Sequence, residues 1–409
     1  MVAHELDARR LHLVSTVLAV ACGLTAANLY YAQPLLDLLA RTFGVSEGSA
    51  AVVIPATQLG YVAGKIVLLP LGDLLENRAL AGRMLVGTAV ALVAAGLAPT
   101  FGLFLVASVA VGMTSSVTQI LVPVAARLAP PGTRGRFIGR VMSGLLLGIL
   151  LARTVSSLLA DAIGWRSVYL ISAGLMLVLA PCLRWVLPPL PPAHTTTYRA
   201  LMRSLAAIVA EEPILRRRAI SQALLFGTFT TFWTAIAYEL IGEHGLTQSA
   251  VGIFALVGAA GAVAAPFAGR LADRGLARPA RGIAIGMVAV ALLITRFGHA
   301  SVVALAAGGV LLDFAVQGHQ VLSQQEVYGL RPEARSRINT IYMSTIFLVG
   351  AMASAAAGWV FDRAGWTGVT TVALVLPAGA FALWLTSRTP AMAPAVAAVT
   401  ATDGGPHQA

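Results

Sequence analysis

Charged side chains are scarce in this chain of 409 residues. Asp, Glu, Lys and Arg together make up 11% of the sequence, whereas 58% of the residues are hydrophobic. In soluble domains, about a quarter of the residues are charged. The mean hydropathy of +0.82 leaves too little polar surface to cover a water-facing globule. This shortage of charge excludes an ordinary soluble protein and predicts a chain that lies in a lipid bilayer.

Other absences narrow the class further. The sequence contains no Gly-x-x-x-x-Gly-Lys-Ser/Thr loop, which excludes an ATP site of that type. It has no cluster of His, Asp and Glu with the spacing of a metal or acid–base site at one membrane surface. We therefore predict no metal, no cofactor and no enzymatic activity. The two cysteines, Cys22 and Cys182, lie in apolar runs and are interpreted as buried small side chains.

Lysine is nearly absent, since 27 of the 28 basic residues are Arg and Lys65 is the only lysine. The formal charge of +11 would suggest a nucleic-acid partner in a soluble protein. Here the arginines lie in short loops between apolar runs, as the positive-inside rule places them. The charge therefore indicates membrane topology, and we predict no nucleic-acid partner.

The sequence is rich in apolar runs long enough to cross roughly 30 Å of hydrocarbon. Twelve such runs lie near residues 12–33, 49–71, 80–98, 101–126, 137–160, 166–187, 218–241, 250–270, 281–297, 301–325, 338–360 and 367–387. When the loops are assigned alternately to the two sides, 22 bases fall on one side and four on the other, with Lys65 and Arg153 inside runs. This imbalance predicts a multi-pass membrane protein with both termini in the cytoplasm. We expect the membrane to be a bacterial cytoplasmic (inner) membrane.

The two halves of the chain repeat one another. The stretch from Gln119 to Val168 recurs 201 positions later without a gap, so that Asp161 matches Asp362. The repeat predicts an all-α membrane protein of two six-helix pseudo-symmetric halves, an architecture typical of solute transporters. We predict an N-terminal half over 1–187, a cytoplasmic linker over 188–216, a C-terminal half over 217–388 and a disordered cytoplasmic tail over 389–409.

A loop between the eighth and ninth runs carries a family motif. Gly269 to Gly275 read Gly-Arg-Leu-Ala-Asp-Arg-Gly, and Leu69 to Asp73 form a partial copy 200 residues earlier. This pattern resembles the cytoplasmic loop signature of the major facilitator superfamily. The resemblance implies a latch of the inward-closed state, in which an Asp caps a helix end and pairs with loop arginines; a solvated charged loop is the alternative. The implied latch residues are Asp73, Gly269, Asp273, Arg274, Arg134, Arg136, Arg335 and Arg337.

The fifth run resembles a glycine-rich motif of the proton-coupled exporters in that superfamily. Small residues keep the spacing of the motif at Gly139, Gly148, Ala152 and Ser156. Arg153 replaces the Pro of the motif. Small side chains permit close helix packing, which the resemblance assigns to sealing an exporter against leak. The segment from Asn28 to Leu36 is similar to bacterial sugar and purine-nucleoside efflux proteins, which implies an exporter of drugs or metabolites.

Polar side chains inside membrane spans are costly and mark candidate functional positions. In the tenth run, four polar residues at spacings of four, three and four share one helical face: Asp313, Gln317, Gln320 and Gln324. In proteins that resemble this one, the first, fourth, seventh and tenth helices line a central cavity. We therefore predict that this face lines the cavity and that Asp313 is the proton carrier. Interhelical hydrogen bonding is the alternative interpretation.

Other runs contribute further candidate cavity residues, namely Asn28 and Tyr31 in the first run, Gln58 and Tyr61 in the second, Gln119 in the fourth, Arg153 in the fifth and Trp233 in the seventh. An aromatic belt at the membrane surface is an equal alternative for Tyr31. Lys65 shares a helical face with Gln58, but we expect its ammonium to snorkel to the cytoplasmic surface. His319 lies off the face of Asp313 and is interpreted as a packing residue rather than a proton relay.

Arg153 has three interpretations: it snorkels to the outer surface, pairs with Asp313 across the seam between the halves, or holds an anionic group of the substrate. The leading predicted function is export of a small organic compound by proton antiport and alternating access. An importer or exchanger of an anionic metabolite and a non-transporting membrane sensor are the alternatives. We expect a monomer whose partners are a small-molecule substrate, protons and the lipid bilayer.

Overall fold

The computed structural model describes residues 8–129, 134–190, 197–331 and 334–386, nearly all of them in helices. The spans of the N-terminal half are Ala8–Ala27 (span 1), Glu47–Ala51 with Val53–Val67 (span 2), Asn77–Gly96 (span 3), Phe101–Ser115 with Thr118–Leu128 (span 4), Arg134–Ile163 (span 5) and Trp165–Val186 (span 6). A 3-10 turn, Gln33–Leu35, and the helix Leu36–Phe43 connect spans 1 and 2, and the helix Leu71–Leu74 connects spans 2 and 3.

The C-terminal half follows a linker helix, Tyr198–Glu211. Its spans are Pro213–Gly242 (span 7), Gln248–Phe254 continuing through a 3-10 turn, Ala255–Ala259, into Ala260–Asp273 (span 8), Ala277–Phe297 (span 9), Val302–Gly329 (span 10), and the helices Arg335–Ala373 and Val375–Leu385 (spans 11 and 12). The predicted tail over 389–409 lies outside the described residues.

Spans 11 and 12 form one helical stretch that crosses a bilayer twice. The apolar part, Arg337–Leu385, has 49 residues. A straight helix of that length would measure about 74 Å, more than twice the roughly 30 Å hydrocarbon core. Gly365 interrupts it with a φ of 56°, a left-handed value that favours glycine. Because the last of the eleven long apolar stretches in the described chain contains two spans, the structure has twelve spans. This number confirms the predicted fold class.

The repeat is visible at this turn. Gly164, the counterpart of Gly365, has a φ of 84° between spans 5 and 6. The tryptophan that follows each glycine is buried. Trp165 Nε1 donates to the hydroxyl of Thr42 (3.1 Å), and Trp366 Nε1 donates to a backbone carbonyl of span 9 (2.8 Å). The same Gly-Trp pair thus turns the chain and anchors the next span in both halves.

Spans 1 and 5 pack backbone against backbone. A Cβ added to Gly148 would lie 2.2 Å from the carbonyl oxygen of Gly23, closer than real Cβ atoms approach. Gly148 therefore lies at a close helix contact, as small residues permit. Ala152 and Ser156 are buried. Gly139, also predicted as a packing residue, is on the exposed side of span 5, where a Cβ would meet open space. The prediction is wrong there, because Gly139 lies on the face of span 5 that is turned away from span 1, although the neighbouring Arg140 still donates to Ser15 of span 1.

The linker is attached to both halves. Leu190 N–H donates to the carboxylate of Glu76 (3.0 Å) at the start of span 3. Partial burial raises the pKa of Glu76, but hydrogen bonds from the amides of Leu190 and Ala79 outweigh it and hold the pKa below its ordinary value. At the other end of the linker, Arg331 pairs with Glu211 (2.9 Å) and with Glu212 (2.6 Å). The linker therefore connects the N-terminal half to the loop after span 10.

Candidate functional site between the halves

Asp313 is buried at the seam between the halves, near the middle of span 10, with 3% of its surface exposed. Its Oδ1 accepts a hydrogen bond from Trp233 Nε1 on span 7 (3.1 Å). A Cβ added to Gly258 on span 8 would lie 2.8 Å from Oδ2 of Asp313 and 3.5 Å from Nη1 of Arg153. Glycine at this position therefore leaves a small space that both charged groups, one from each half, face.

Arg153 is likewise buried, and its Nε donates to Gln33 Oε1 (2.6 Å). The guanidinium stacks on Trp233, 4.3 Å from the ring centre, and lies 5.1 Å from that of Tyr30. The described ion pairs do not include one with Asp313, and Nη2 has no hydrogen-bond partner. Outward snorkelling is therefore wrong for this residue, because aromatic faces and an amide replace part of its hydration inside the seam.

A row of aromatic rings continues along the seam from Trp233. The ring centres are 6.3 Å apart from Trp233 to Phe229, 5.4 Å from Phe229 to Phe226, 5.1 Å from Phe226 to Phe347 and 4.8 Å from Phe347 to Tyr61. These separations are typical of interacting aromatic pairs. Spans 2, 7 and 11 contribute the rings, so the row crosses from one half to the other.

Lys65 lies at the far end of this row. Its Nζ is 4.7 Å from the ring centre of Tyr61 and 5.5 Å from that of Phe347. The residue is fully buried, and its Nζ has no hydrogen-bond partner. The expected snorkelling to the cytoplasmic surface is wrong. Helical side chains lean toward the start of their helix, and the contact with Tyr61 shows that Lys65 leans away from the cytoplasmic end of span 2.

Hydrogen bonds that start from Tyr61, the last ring of the aromatic row, also join the halves. Gln119 Nε2 donates to the hydroxyl of Tyr61 (3.1 Å), and Asn339 Nδ2 donates to Gln119 Oε1 (3.1 Å). The hydroxyl of Tyr328 donates to Asn339 Oδ1 (2.7 Å). Gln58 is buried one turn before Tyr61, and its Oε1 has no partner. Gln58, Tyr61 and Gln119 therefore lie at the seam, and that they line a substrate cavity stays a prediction.

The polar face of span 10 is only partly engaged. Gln317, Gln320 and Gln324 are half-buried. Gln320 Oε1 accepts from Gln222 (3.4 Å), and Gln324 Nε2 contacts the sulfur of Met343 (3.8 Å). These contacts are weak interhelical bonds within the C-terminal half, and that the face lines a cavity stays a prediction.

His319 makes two hydrogen bonds within its own half. Its Nδ1 donates to Gln222 Oε1 (2.6 Å), which leaves Nε2 to accept from Ser221 (3.3 Å). Both ring nitrogens are therefore used inside the C-terminal half. This arrangement agrees with the interpretation of His319 as a packing residue.

Asn28 and Tyr31 are turned into the N-terminal half. Asn28 Oδ1 accepts from Ser172 (2.7 Å), and its Nδ2 contacts Ser115 (3.4 Å). The hydroxyl of Tyr31 lies 3.5 Å from that of Ser172. In this conformation the prediction that they line the cavity is wrong. The helix of span 1 ends at Ala27, so the helical spacing that assigned them to one cavity face does not apply beyond it.

The halves meet at the arginine-poor end through a duplicated contact. Asp362, near the end of span 11, accepts from the amide of Gly48 (2.7 Å) and from Ser46 (3.0 Å) at the start of span 2. Asp161, its counterpart in span 5, accepts a short hydrogen bond from the hydroxyl of Ser249 at the start of span 8. Gly48 and Ser249 are also 201 residues apart. Both contacts therefore occupy equivalent places in the two halves.

Among the described residues, the ion pairs do not include one of the predicted latch at the other end of the seam. Asp273 and Arg274 are exposed, as are Arg136 and Arg335, and Arg337 is half-buried. None of them belongs to a described ion pair. A Cβ at Gly269 would be 4.0 Å from its nearest neighbour. The side chains of Asp73 and Arg134 lie outside the described part. The Asp161 and Asp362 contacts thus join the halves at the arginine-poor end, and the latch stays a prediction.

An ion cluster that the sequence did not predict lies at the arginine-rich end of the C-terminal half. Glu326 on span 10 accepts from Arg218 (2.7 Å) and lies 2.8 Å from Nη1 of Arg281. Both arginines are buried, although the sequence pattern assigned them to loops. The available signal was Glu326 itself, an acidic residue near the end of an apolar run. This cluster supplies a counter-charge for two buried bases, whereas the ion pairs of the described residues do not include one with Lys65.

The family model described as Major Facilitator Superfamily matches residues 18–220 and 218–404. The chain is 39% identical over 377 residues to the putative uncharacterized transporter YgaY of Escherichia coli (91% of this chain, 95% of that one). It is 36% identical over 360 residues to a probable transporter of Streptomyces coelicolor (87% and 83%). The inward-facing, unoccupied structure of a bacterial homolog of the human lysosomal transporter Spinster has a TM-score of 0.72 and 15% identity (93% and 97%). This last similarity concerns the fold alone.

Proposed function

This chain belongs to the major facilitator superfamily of membrane transporters, and we propose that it exports a small organic compound in exchange for protons. Membership makes it a multi-pass transporter of a lipid bilayer and not an enzyme. The direction of transport rests on the exporter-like residues of span 5 and of the segment after span 1. The distribution of arginines supports the placement of both termini in the cytoplasm. The similarity to a transporter of Escherichia coli supports a bacterial inner membrane.

Alternating access requires contacts that form at one end of the seam while the other end opens. The duplicated Asp161 and Asp362 contacts close the outer end, and the arginines of the cytoplasmic loop motif are free of acid partners in the described ion pairs. We propose that in the other conformation the arginines of the loop motif pair with acidic residues. The outer contacts of Asp161 and Asp362 are then broken. The substrate site between the two gates is then exposed to each side in turn.

The observation that carries proton coupling is the burial of Asp313 beside Arg153. The Asp313 carboxylate accepts a hydrogen bond from Trp233. It faces the guanidinium of Arg153 across the space at Gly258. Protonation of the carboxylate removes the charge that balances Arg153. A change of charge balance across the seam favours whichever conformation gives Arg153 another partner or water. Asp313 is therefore the proposed proton carrier.

The test uses the purified full-length protein. A thermal-shift screen of metabolites and drugs identifies a ligand, and proteoliposomes with an internal pH dye then report proton movement when that ligand is added. Asp313→Asn should lose proton-coupled movement and keep ligand binding. Glu243→Gln, an exposed acid at the outer end, is the matched control. Undiminished transport driven by a pH gradient in Asp313→Asn would exclude Asp313 as the carrier.

An importer or exchanger of an anionic metabolite is the second candidate. The unpartnered Nη2 of Arg153 favours it, because a buried guanidinium nitrogen without an acceptor is suited to a carboxylate or phosphate oxygen. The flux experiment distinguishes the two, since an exchanger would move labelled substrate without net proton movement. A non-transporting sensor would give ligand binding with no flux at all.

A further inference from the structure

The aromatic row between Arg153 and Lys65 consists of five rings with a buried base at each end. Proton transfer at Asp313 requires neither the rings nor Lys65. We propose that its Lys65 end binds an organic anion with a flat apolar body, an aromatic carboxylate, whose carboxylate pairs with the Lys65 ammonium. The ring of the ligand packs against Tyr61, Phe226 and Phe347. The inference rests on the proposed function only in placing the transport path at the seam.

The first argument is charge. A buried ammonium is tolerated when an anion or a set of acceptors replaces its water. Arg218 and Arg281 have Glu326 for this purpose. Within the described part of the chain, Lys65 has the faces of Tyr61 and Phe347 as its charge partners, and its Nζ makes no hydrogen bond. Cation–π contact restores part of the lost hydration, and the three ammonium donors stay unused. A carboxylate supplies both the charge and the acceptors.

The second argument is position. Tyr61 belongs to the N-terminal half and Phe347 to the C-terminal half, so Lys65 is covered from both sides of the seam. Separation of span 2 from span 11 during the transport cycle uncovers the ammonium and the adjoining rings together. A site that opens only when the halves move is where a transported ligand binds. A purely structural lysine would have no reason to lie across a contact that must break.

The third argument is the shape of the site. Phe226 stacks on Phe229 with an angle of 16° between their planes, and Phe347 continues the row toward Lys65. Flat rings favour a flat apolar partner by offset stacking or edge contact. Gln58, two helical turns before Lys65, offers a buried Oε1 without a donor. A hydroxyl on the ring opposite the carboxylate fits that acceptor, which makes 4-hydroxybenzoate the probe.

Equilibrium binding to the full-length protein in lipid nanodiscs at neutral pH, without a proton gradient, tests the proposal. Wild type should bind 4-hydroxybenzoate at least tenfold more tightly than 4-hydroxybenzamide, which has a similar shape and no charge. Lys65→Met should weaken 4-hydroxybenzoate at least tenfold and abolish this preference, and Lys65→Arg should keep part of it. Arg41→Met removes one exposed base at the outer end and should change neither affinity.

The aromatic part is tested separately. Phe226→Leu should weaken both ligands by a similar factor, because the ring contact does not depend on the charge. Phe267→Leu is the matched control, since Phe267 is half-exposed on span 8 and pairs with Phe314 away from the row. Equal binding of 4-hydroxybenzoate by wild type and Lys65→Met would overturn the proposal, as would the absence of saturable binding to wild type.

A measurement on wild type alone covers the case in which Lys65→Met does not fold. Lys65 is the only lysine, so reductive methylation at this position can be followed by mass spectrometry of one peptide. The carboxylate should slow its modification severalfold, and the amide should not; equal rates would overturn the proposal. Asp313→Asn should still bind 4-hydroxybenzoate. If Lys65→Met binds normally while Asp313→Asn loses proton coupling, the substrate class is wrong and the proposed function stands.

Discussion

The carboxylate of Asp362 accepts a hydrogen bond from the backbone amide of Gly48, across the outer end of the seam. The bond joins the two halves, and the equivalent contact of Asp161 with Ser249 joins them a second time. Hydrogen bonds to an ionised acceptor are stronger than neutral ones. Contacts that exist in only one conformation stabilise that conformation relative to the other. The closed outer end is therefore held by two matched polar contacts.

Asp362→Asn and Asp161→Asn should each shift the protein toward an outward-open conformation. Loss of a charge-assisted hydrogen bond at each contact should lower the stability of the closed outer end by about 1–2 kcal/mol. Electron-spin distance measurements between labels at Arg41 and Ala300, in a background without the native cysteines, report the opening. Glu243→Gln should leave the distance distribution unchanged. A distribution identical to wild type in the double variant would contradict this account of the outer gate.

Gly148→Ala should destabilise the packing of span 1 on span 5. The new methyl group would overlap the backbone of Gly23, and overpacking of this kind costs about 1–3 kcal/mol. The thermal unfolding midpoint in detergent should fall. Gly139→Ala is the control on the same helix, because its methyl group meets open space. Similar midpoints for the two variants would mean that the spans separate at this contact without loss of stability.

Arg153→Ala should destabilise the protein by about 3–5 kcal/mol, because it leaves the buried carboxylate of Asp313 without its nearest positive charge. Asp313→Asn should partly restore stability in the double variant if the two groups are coupled. A thermodynamic cycle of the four proteins, measured by chemical unfolding, gives the coupling. Additive effects would instead assign Arg153 to ligand binding, and Arg153→Lys should then weaken binding of anionic ligands.

The sequence predicted the spans well because hydrocarbon admits helices with few alternatives. Each predicted run has a helix in the structure, and the predicted boundary between the runs 338–360 and 367–387 contains Gly365, which interrupts the continuous helical stretch. The direction of single side chains was harder to predict. Lys65 reaches toward an aromatic pair that includes a residue 282 positions away. No local pattern contains that information.

The candidate site was predicted in part. Asp313, Arg153, Trp233 and Tyr61 do lie at the seam, since polar groups in lipid have few other places to go. Asn28 was assigned to the wrong surface because the end of a helix inside an apolar run leaves little trace in the sequence. The aromatic row was missed for a related reason. Phe226, Phe229 and Phe347 look like ordinary lipid-facing residues until the halves are brought together.

The equivalence of the two outer contacts has an implication for the origin of the fold. Six spans are an even number, so a single half begins and ends on the same side of the membrane and can pair with a copy of itself in parallel. In such a pair, the ancestor of Asp161 and Asp362 would contact the ancestor of Ser249 and Gly48 in its neighbour, and the neighbour would return the same contact. That is the isologous interface of a two-fold homodimer. The gene duplication that produced this chain would then have joined an existing dimer, with its closure already in place.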